Sequence, residues 1–94
     1  MALKLFSNHD TVYSRSYSDS AFRRVRVGTT EEEVRQQLGE PYEIRTDAYA
    51  TRGVAGVSCW SYSHSPSDEN YCIRLVCFDS SGVVAWTHAE FWLD

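Results

Sequence analysis

The chain has no apolar run long enough to cross a membrane. Nowhere do its 94 residues approach the ~18 consecutive apolar residues of a spanning helix. The N-terminus also lacks the roughly 7–15-residue apolar segment and the small-residue cleavage site of a secretory signal. These absences predict a cytoplasmic protein, although a chain whose leader had been removed would look the same. The length predicts a single domain.

Positive charge is scarce. The sequence has 9 Lys and Arg residues against 13 Asp and Glu residues, so the formal net charge is -4. Proteins that bind nucleic acids usually present a basic face to the phosphates. The one basic cluster, formed by Arg23, Arg24 and Arg26, is followed by three glutamates that offset it. We therefore expect no nucleic-acid partner.

Cysteine is sparse, and its spacing disfavours a metal site. An odd number of cysteines cannot pair completely within one chain, which is typical of a reducing compartment. Cys72 and Cys77 point to opposite faces of a regular strand, and so do Cys59 and His64. No Cys-x-x-Cys or His-x-x-x-His spacing occurs. We expect no metal and no cofactor, with Cys77 in the core and Cys59 and Cys72 as the more exposed thiols.

No residue pattern indicates catalysis. A cysteine nucleophile needs a neighbouring base, and none is identifiable beside Cys59 or Cys72. The acidic run at residues 31–33 is explained by helix capping. Gly53 and Gly56 are too few for a phosphate-binding loop, and no helix is predicted after them. The sequence therefore predicts a protein that is not an enzyme.

A short helix after Thr30 has both of its ends marked, and the rest of the chain is organised around it. Thr30 is the predicted N-cap, and Glu33 completes a capping box. Val34 and Leu38 are four positions apart and share one face. Gly39 permits the backbone turn that ends the helix. A helix this short is marginal alone, so we expect its apolar face to dock on a sheet.

An earlier helix and four later strands complete the predicted fold. Ser18 is the predicted N-cap of a helix that runs to about Arg26, with Tyr17 and Phe22 as a hydrophobic staple. Period-two alternation then predicts four strands, at residues 42–49, 57–64, 71–78 and 83–93. In the last strand, one face is expected to carry Val84, Trp86, His88, Glu90 and Trp92.

These elements predict an α+β fold. A helix–turn–helix pair packs on one face of a 3–4-stranded antiparallel meander sheet and leaves the other face free. Residues 18–94 are expected to form the single domain, and residues 1–17 an N-terminal arm. Within the arm, the segments 3–6 and 11–13 are either short strands or loosely packed chain.

Several motifs, in the same order along residues 19–90, resemble the SmpA/OmlA (BamE-like) family. The helix motif is Val27-Gly-Thr-Thr-Glu-Glu-Glu-Val34, followed by Leu38-Gly-Glu-Pro41. The strand motifs are Trp60-Ser-Tyr62 and Phe78-Asp-Ser-Ser-Gly-Val83. The resemblance implies a domain like one repeat of the β-lactamase-inhibitor-protein fold and a non-enzymatic role as a bacterial assembly or scaffold module. It also implies, as the alternative location, the periplasmic side of the outer membrane, but membrane association follows only by this analogy.

Aromatic side chains on the last strand indicate where binding would occur. The 13 aromatic residues are more than a core this small readily hides, and aromatics are favoured at the centres of interfaces. We predict a protein partner or self-association through the free sheet face or the edge of the last strand. The alternative is a small-ligand or lipid-headgroup binder that uses the same face and the loop at residues 52–56. The candidate binding residues are Arg52, Trp86, His88, Phe91 and Trp92.

Overall fold

The computed structural model describes residues 12–64 and 71–92. For Tyr71, Phe91 and Trp92 it describes the backbone only. The segment 3–6 lies outside these residues. In chain order the elements are β1 (Val12–Tyr13), α1 (Asp19–Phe22), α2 (Glu31–Leu38), β2 (Glu43–Arg45), α3 (Ala48–Thr51), β3 (Ser58–Ser61), β4 (Ser63–His64), β5 (Tyr71–Phe78) and β6 (Val84–Trp92).

The strands form two antiparallel sheets, and the fold is α+β. The main sheet has four strands in the order β2-β3-β5-β6. Its strands follow one another in chain order, and β4, which lies between β3 and β5 in the sequence, belongs to the second sheet. The second sheet pairs β1 with β4, with Val12 opposite His64. The segment 11–13, predicted as either strand or arm, is therefore a short strand over residues 12 and 13.

The helix α2 has the predicted boundaries and caps. The Thr30 hydroxyl accepts a hydrogen bond from Glu33 N–H at 3.2 Å, and the Glu33 carboxylate accepts one from Thr30 N–H at 3.1 Å. Gly39 follows the helix with φ 80°, a conformation that favours glycine. A Cβ atom there would lie 2.7 Å from Ser16 Cβ, so glycine is also required for the chain to pass this point.

The helix α1 is shorter than predicted. Ser18 is its N-cap, and the rings of Tyr17 and Phe22 lie 6.0 Å apart as the staple requires. The helix ends at Phe22 and not near Arg26, and the chain continues through turns. This shortening lets residues 28–30 reach the main sheet, where Gly28 N–H donates to Val84 O at 2.8 Å.

The predicted strand at residues 42–49 is wrong in its second half. Only Glu43–Arg45 forms β2, and Ala48–Thr51 forms the helix α3. The Asp47 carboxylate accepts a hydrogen bond from Ala50 N–H at 3.2 Å and so caps this helix. Asp47 is thus a helix start signal inside a segment whose alternation resembled a strand.

The last strand contains a β-bulge that reverses one of its predicted side-chain directions. Cys77 lies opposite Trp86, but Phe78 lies opposite Val84, so Ala85 is an additional residue on β6. Val84 consequently packs in a different core cluster from Trp86. The prediction that both side chains share one face is wrong, because the bulge shifts the alternation by one residue.

Both faces of the main sheet are covered where the helices cross it. On one face, Val34 and Leu38 are fully buried against an aromatic cluster that includes Trp60, Tyr62 and Phe78. On the other face, α3 contacts β3 and β5, and Ala50 is buried in the second core cluster. The expectation that helices cover only one face is therefore wrong, since the strand at residues 42–49 ends early and supplies α3.

The prediction that Cys77 lies in the core is confirmed, whereas those for Cys59 and Cys72 are wrong. Cys59 and Cys77 occupy facing positions on β3 and β5, with Cα atoms 3.9 Å apart, and they form a disulfide. Cys72 is not part of a disulfide and is buried. Thus neither Cys59 nor Cys72 is an exposed thiol. The odd number of cysteines gave no sign that two of them pair. The strand register that brings Cys59 opposite Cys77 is a property of the folded sheet.

Candidate functional site

Arg52 and Trp86, two of the predicted binding residues, are in direct contact. Arg52 ends α3 in the left-handed conformation, with φ 58° and ψ 26°. From there its guanidinium lies 4.4 Å from the centroid of the Trp86 ring, a distance suited to a cation–π interaction. Trp86 is half-buried against the second core cluster, and its indole Nε1 is buried with no hydrogen-bond acceptor among the described residues.

His88, a third predicted residue, belongs to a hydrogen-bonded group beside this pair. Glu90 Oε1 accepts a hydrogen bond from the Tyr49 hydroxyl at 2.6 Å and lies 2.7 Å from His88 Nε2. The Tyr49 ring also meets the His88 ring edge-on, with centroids 6.3 Å apart. Tyr49 and Glu90 were not predicted as site residues, because nothing in the sequence indicates that residues 41 positions apart meet.

We call Tyr49, Arg52, Trp86, His88 and Glu90 the β6 cluster. Its carboxylate is held in the charged form: the hydrogen bond from Tyr49, followed by that from His88, lowers the pKa of Glu90 below its usual value. A general acid or base works best with a pKa near the operating pH, and a lowered carboxyl pKa moves away from that value. The β6 cluster places a cation, an anion and two aromatic rings together on this face of the sheet.

The position of α3, which supplies two members of the cluster, is fixed by Arg45 and Asp47. The Arg45 guanidinium makes two hydrogen bonds to the Asp47 carboxylate, at 2.9 and 3.0 Å. The same guanidinium lies 5.9 Å from the centroid of the Tyr49 ring. The ion pair and the N-cap bond lower the pKa of Asp47. Asp47 therefore joins the edge strand β2 to the start of α3.

Phe91 and Trp92, the remaining predicted residues, continue β6. Their partners on β5 are Cys72 and Tyr71, but their side chains lie outside the described part of the structure. Together with Trp86 and His88 they belong to the outermost strand of the main sheet. The structure thus brings Arg52, Trp86 and His88 together and places the backbone of the other two on the same strand.

The backbone of β6 presents hydrogen-bonding groups away from the sheet. Tyr62 N–H donates to Arg74 O at 2.9 Å, so the backbone groups of Arg74 face β3. Because these groups alternate along a strand, those of Leu75 face β6, where its partner is His88. The backbone groups of His88 therefore face inward. Those that face outward belong to Thr87, Ala89 and Phe91.

We call the outer side of residues 85–92 the β6 edge. Within residues 12–64 and 71–92, the only chain segment paired with the outer side of β6 is the loop at residues 28–30, which meets Val83 and Val84. Natural edge strands are usually protected by lysine, proline or short length. The strand β6 has 9 residues and contains no lysine, arginine or proline. By contrast, β2 at the opposite edge has only 3 residues.

A second polar cluster lies on the aromatic face of the main sheet and was not predicted. The rings of Tyr13 and Tyr17 stack with centroids 5.1 Å apart. The Tyr17 hydroxyl donates to the Asp19 carboxylate, which also accepts a hydrogen bond from Arg74 Nε at 3.1 Å. The Tyr17 bond and then the Arg74 bond lower the pKa of Asp19 against the opposing effect of burial. Burial, followed by contact with Cys72, raises the pKa of Tyr13 to about 12. The polar groups of Tyr17, Asp19 and Arg74 therefore bond to one another, and these bonds join α1 to β5.

In the described ranges, no three His, Cys, Asp or Glu side chains come close enough together to hold a metal ion. No helix in those ranges is long and apolar enough to span a membrane. Comparison of the chain with protein-family models, with curated proteins and with solved structures gives no match in any of the three. The candidate site therefore rests on the geometry of β6 and α3.

Proposed function

We propose that this protein is a non-enzymatic interaction module that binds a polypeptide partner along the β6 edge. The observation that carries the proposal is the row of outward backbone groups at Thr87, Ala89 and Phe91, which has no partner strand among the described residues. An extended segment that adds to such an edge gains main-chain hydrogen bonds, and alternate side-chain contacts give specificity.

The β6 cluster would supply that specificity. One face of β6 carries Trp86, His88 and Glu90, and the Arg52 guanidinium packs on Trp86 there. These groups are within reach of the side chains of an added strand. Trp and Arg side chains are enriched among the residues that dominate interface energies. The exposed Thr87 and Ala89 side chains lie on the opposite face of the same strand. A partner strand would therefore meet an aromatic and charged face and a small, neutral one.

The family resemblance implies the same kind of function as this proposal. A scaffold or assembly role of the SmpA/OmlA type, with a fold like one repeat of the β-lactamase-inhibitor protein, would use binding and not chemistry. The Cys59–Cys77 disulfide supports an oxidising compartment over a cytoplasmic one, because disulfides persist where thiols are not kept reduced. We accordingly favour the periplasmic alternative over the cytoplasmic prediction.

Photo-crosslinking tests the proposal directly. A benzophenone amino acid replaces Ala89 in the full chain, and the matched control replaces Ile44, which is 59% exposed on the opposite edge strand. After irradiation of cells that make the protein, we expect discrete polypeptide adducts at position 89 and none at position 44. Equal labelling at both positions, or none at position 89, would refute the edge as the binding surface.

The buried Nε1 of Trp86 beneath the Arg52 guanidinium favours the second candidate function, binding of a small anion or a lipid headgroup. Both groups are donors, although the nearby Glu90 carboxylate opposes an anion. Titration with inorganic phosphate and with vesicles of anionic lipid, followed by tryptophan fluorescence, tests this candidate. A saturable change that Arg52→Ala removes would support it, and a flat titration would exclude it.

A further inference from the structure

We infer that the partner at the β6 edge is a second copy of this chain, paired antiparallel about a two-fold axis through Ala89. This inference rests on the proposed use of the edge and adds the identity and register of the partner. A two-fold axis makes such an interface isologous, so each residue must suit its symmetry mate. The strand β6 meets this requirement in one register better than in its neighbours.

Only registers that align outward-facing backbone groups can form hydrogen bonds. Because Thr87, Ala89 and Phe91 carry those groups, a symmetric pairing that uses at least two of these residues in each copy must centre on residue 88, 89 or 90. When the centre is 89, Ala89 lies opposite its own copy, and Thr87 lies opposite Phe91 of the second copy. These are hydrogen-bonded pairs, in which both residues exchange their backbone bonds.

Charge selects among the three registers. With the centre at 90, two Glu90 carboxylates face each other, which is unfavourable for directly opposed strand residues. With the centre at 88, each imidazole faces the other imidazole, and each Glu90 faces Trp86 of the second copy. With the centre at 89, His88 of each copy faces Glu90 of the other, so each carboxylate meets an imidazole that can donate to it and no two carboxylates face each other.

The groups that meet across this axis are already oriented. Tyr49 donates to Glu90, and His88 approaches the same carboxylate oxygen at 2.7 Å. A carboxylate has two acceptor oxygens, so Glu90 can accept a further hydrogen bond from His88 of the other copy. The charged and polar groups near this contact from the packed elements are Tyr49 and Arg52 on α3. Pairing therefore extends an existing hydrogen-bonded group across the axis and creates an eight-stranded sheet from two four-stranded ones.

Cysteine crosslinking in the full chain tests the register. We would prepare His88→Cys, Ala89→Cys and Glu90→Cys, because each places a cysteine opposite its own copy in only one of the three registers. In the inferred register the two copies of residue 89 have Cα atoms about 5.5 Å apart, within the range of a disulfide. The two copies of residue 88, or of residue 90, lie about 8 Å apart and cannot be bridged without backbone movement.

We expect Ala89→Cys to form a covalent dimer under mild oxidation about tenfold faster than the other two variants, since only its geometry suits a disulfide. The unmodified chain, in which Cys72 is outside the disulfide and buried, provides the background. Fastest crosslinking of His88→Cys or Glu90→Cys would overturn the inferred register. Absence of crosslinking in all three, with a monomer by sedimentation velocity at high concentration, would overturn the second copy as partner.

A charge exchange gives an independent readout. His88→Glu should weaken the dimer about tenfold by placing like charges opposite each other twice. The double variant His88→Glu, Glu90→His restores an imidazole opposite each carboxylate across the axis and should recover most of the affinity. Failure of the double variant to recover, with both variants folded by circular dichroism, would contradict the charge argument. If the chain is monomeric while position 89 still labels another polypeptide in cells, the present inference fails and the proposed function stands.

Discussion

Breaking the Cys59–Cys77 disulfide should lower the free energy of unfolding by about 3 kcal/mol. The bond closes a loop with a sequence separation of 18 residues, and the loop-closure relation gives about 3 kcal/mol for a loop of that length. The free energy of unfolding for a domain of this size is only about 5–14 kcal/mol. Loss of the bond therefore removes a substantial part of the stability and loosens the sheet beneath α3.

Part of the loss is offset locally. In the disulfide the two sulfur atoms lie 3.2 and 3.6 Å from Ala50 O, contacts in which neither sulfur carries a proton. After reduction the Cys59 thiol can donate a weak hydrogen bond to the same carbonyl. Because this bond forms in the folded state, the measured loss should be somewhat smaller than the loop-closure value, and α3 should remain docked.

Urea unfolding with and without a phosphine reductant measures the effect. With a urea dependence of about 1 kcal/mol per M, we expect the midpoint to fall by about 3 M. The double variant Cys59→Ala, Cys77→Ala should fall similarly and become insensitive to reductant, whereas Cys72→Ala should keep the sensitivity of the natural chain. A thiol assay on the unfolded, unreduced protein should find one thiol per chain. Three thiols would show that the bond does not form, and one thiol with an unchanged midpoint would refute the loop-closure reasoning.

Three other substitutions test separate parts of the structure. Thr30→Ala removes a capping box and should cost about 1 kcal/mol in thermal unfolding, with Thr30→Ser as the control that retains the hydroxyl. The pKa of Asp19 is lowered in the fold, so its contribution to stability is present above its unfolded pKa and is lost as the pH falls through the folded pKa. Stability measured from pH 7 down to the acid range, at roughly pH 2, should therefore decline less steeply in Asp19→Asn, and an identical slope would contradict this. Tyr49→Phe removes the main cause of the lowered pKa of Glu90, so that pKa should rise in an NMR titration; an unchanged value would show that the hydroxyl does not bond there.

Local signals in the sequence determined the helix α2 and the strand β5. The Thr30 capping box and Gly39 act through atoms within a few positions of each other, so their outcome does not depend on the rest of the fold. The strand β5 has the predicted bounds because its alternating side chains are buried on both faces, where Ile73, Leu75 and Val76 exclude water. Of the proposed binding residues, Trp86 and His88 were predicted from the last strand and Arg52 from the loop at residues 52–56.

Tertiary structure decided the features that depend on register and on distant contacts. The bulge at Ala85 moved Val84 to a different face, and the pairing of β3 with β5 brought Cys59 opposite Cys77. Tyr49 joined the β6 cluster because α3 crosses the sheet, which only the early end of β2 permits. Hydrophobic periodicity and helix capping depend on neighbouring residues, whereas strand register depends on the summed burial of residues far apart in the chain. The sequence alone therefore indicated β6 as the candidate binding strand, and the folded sheet decided which side chains and backbone groups it presents.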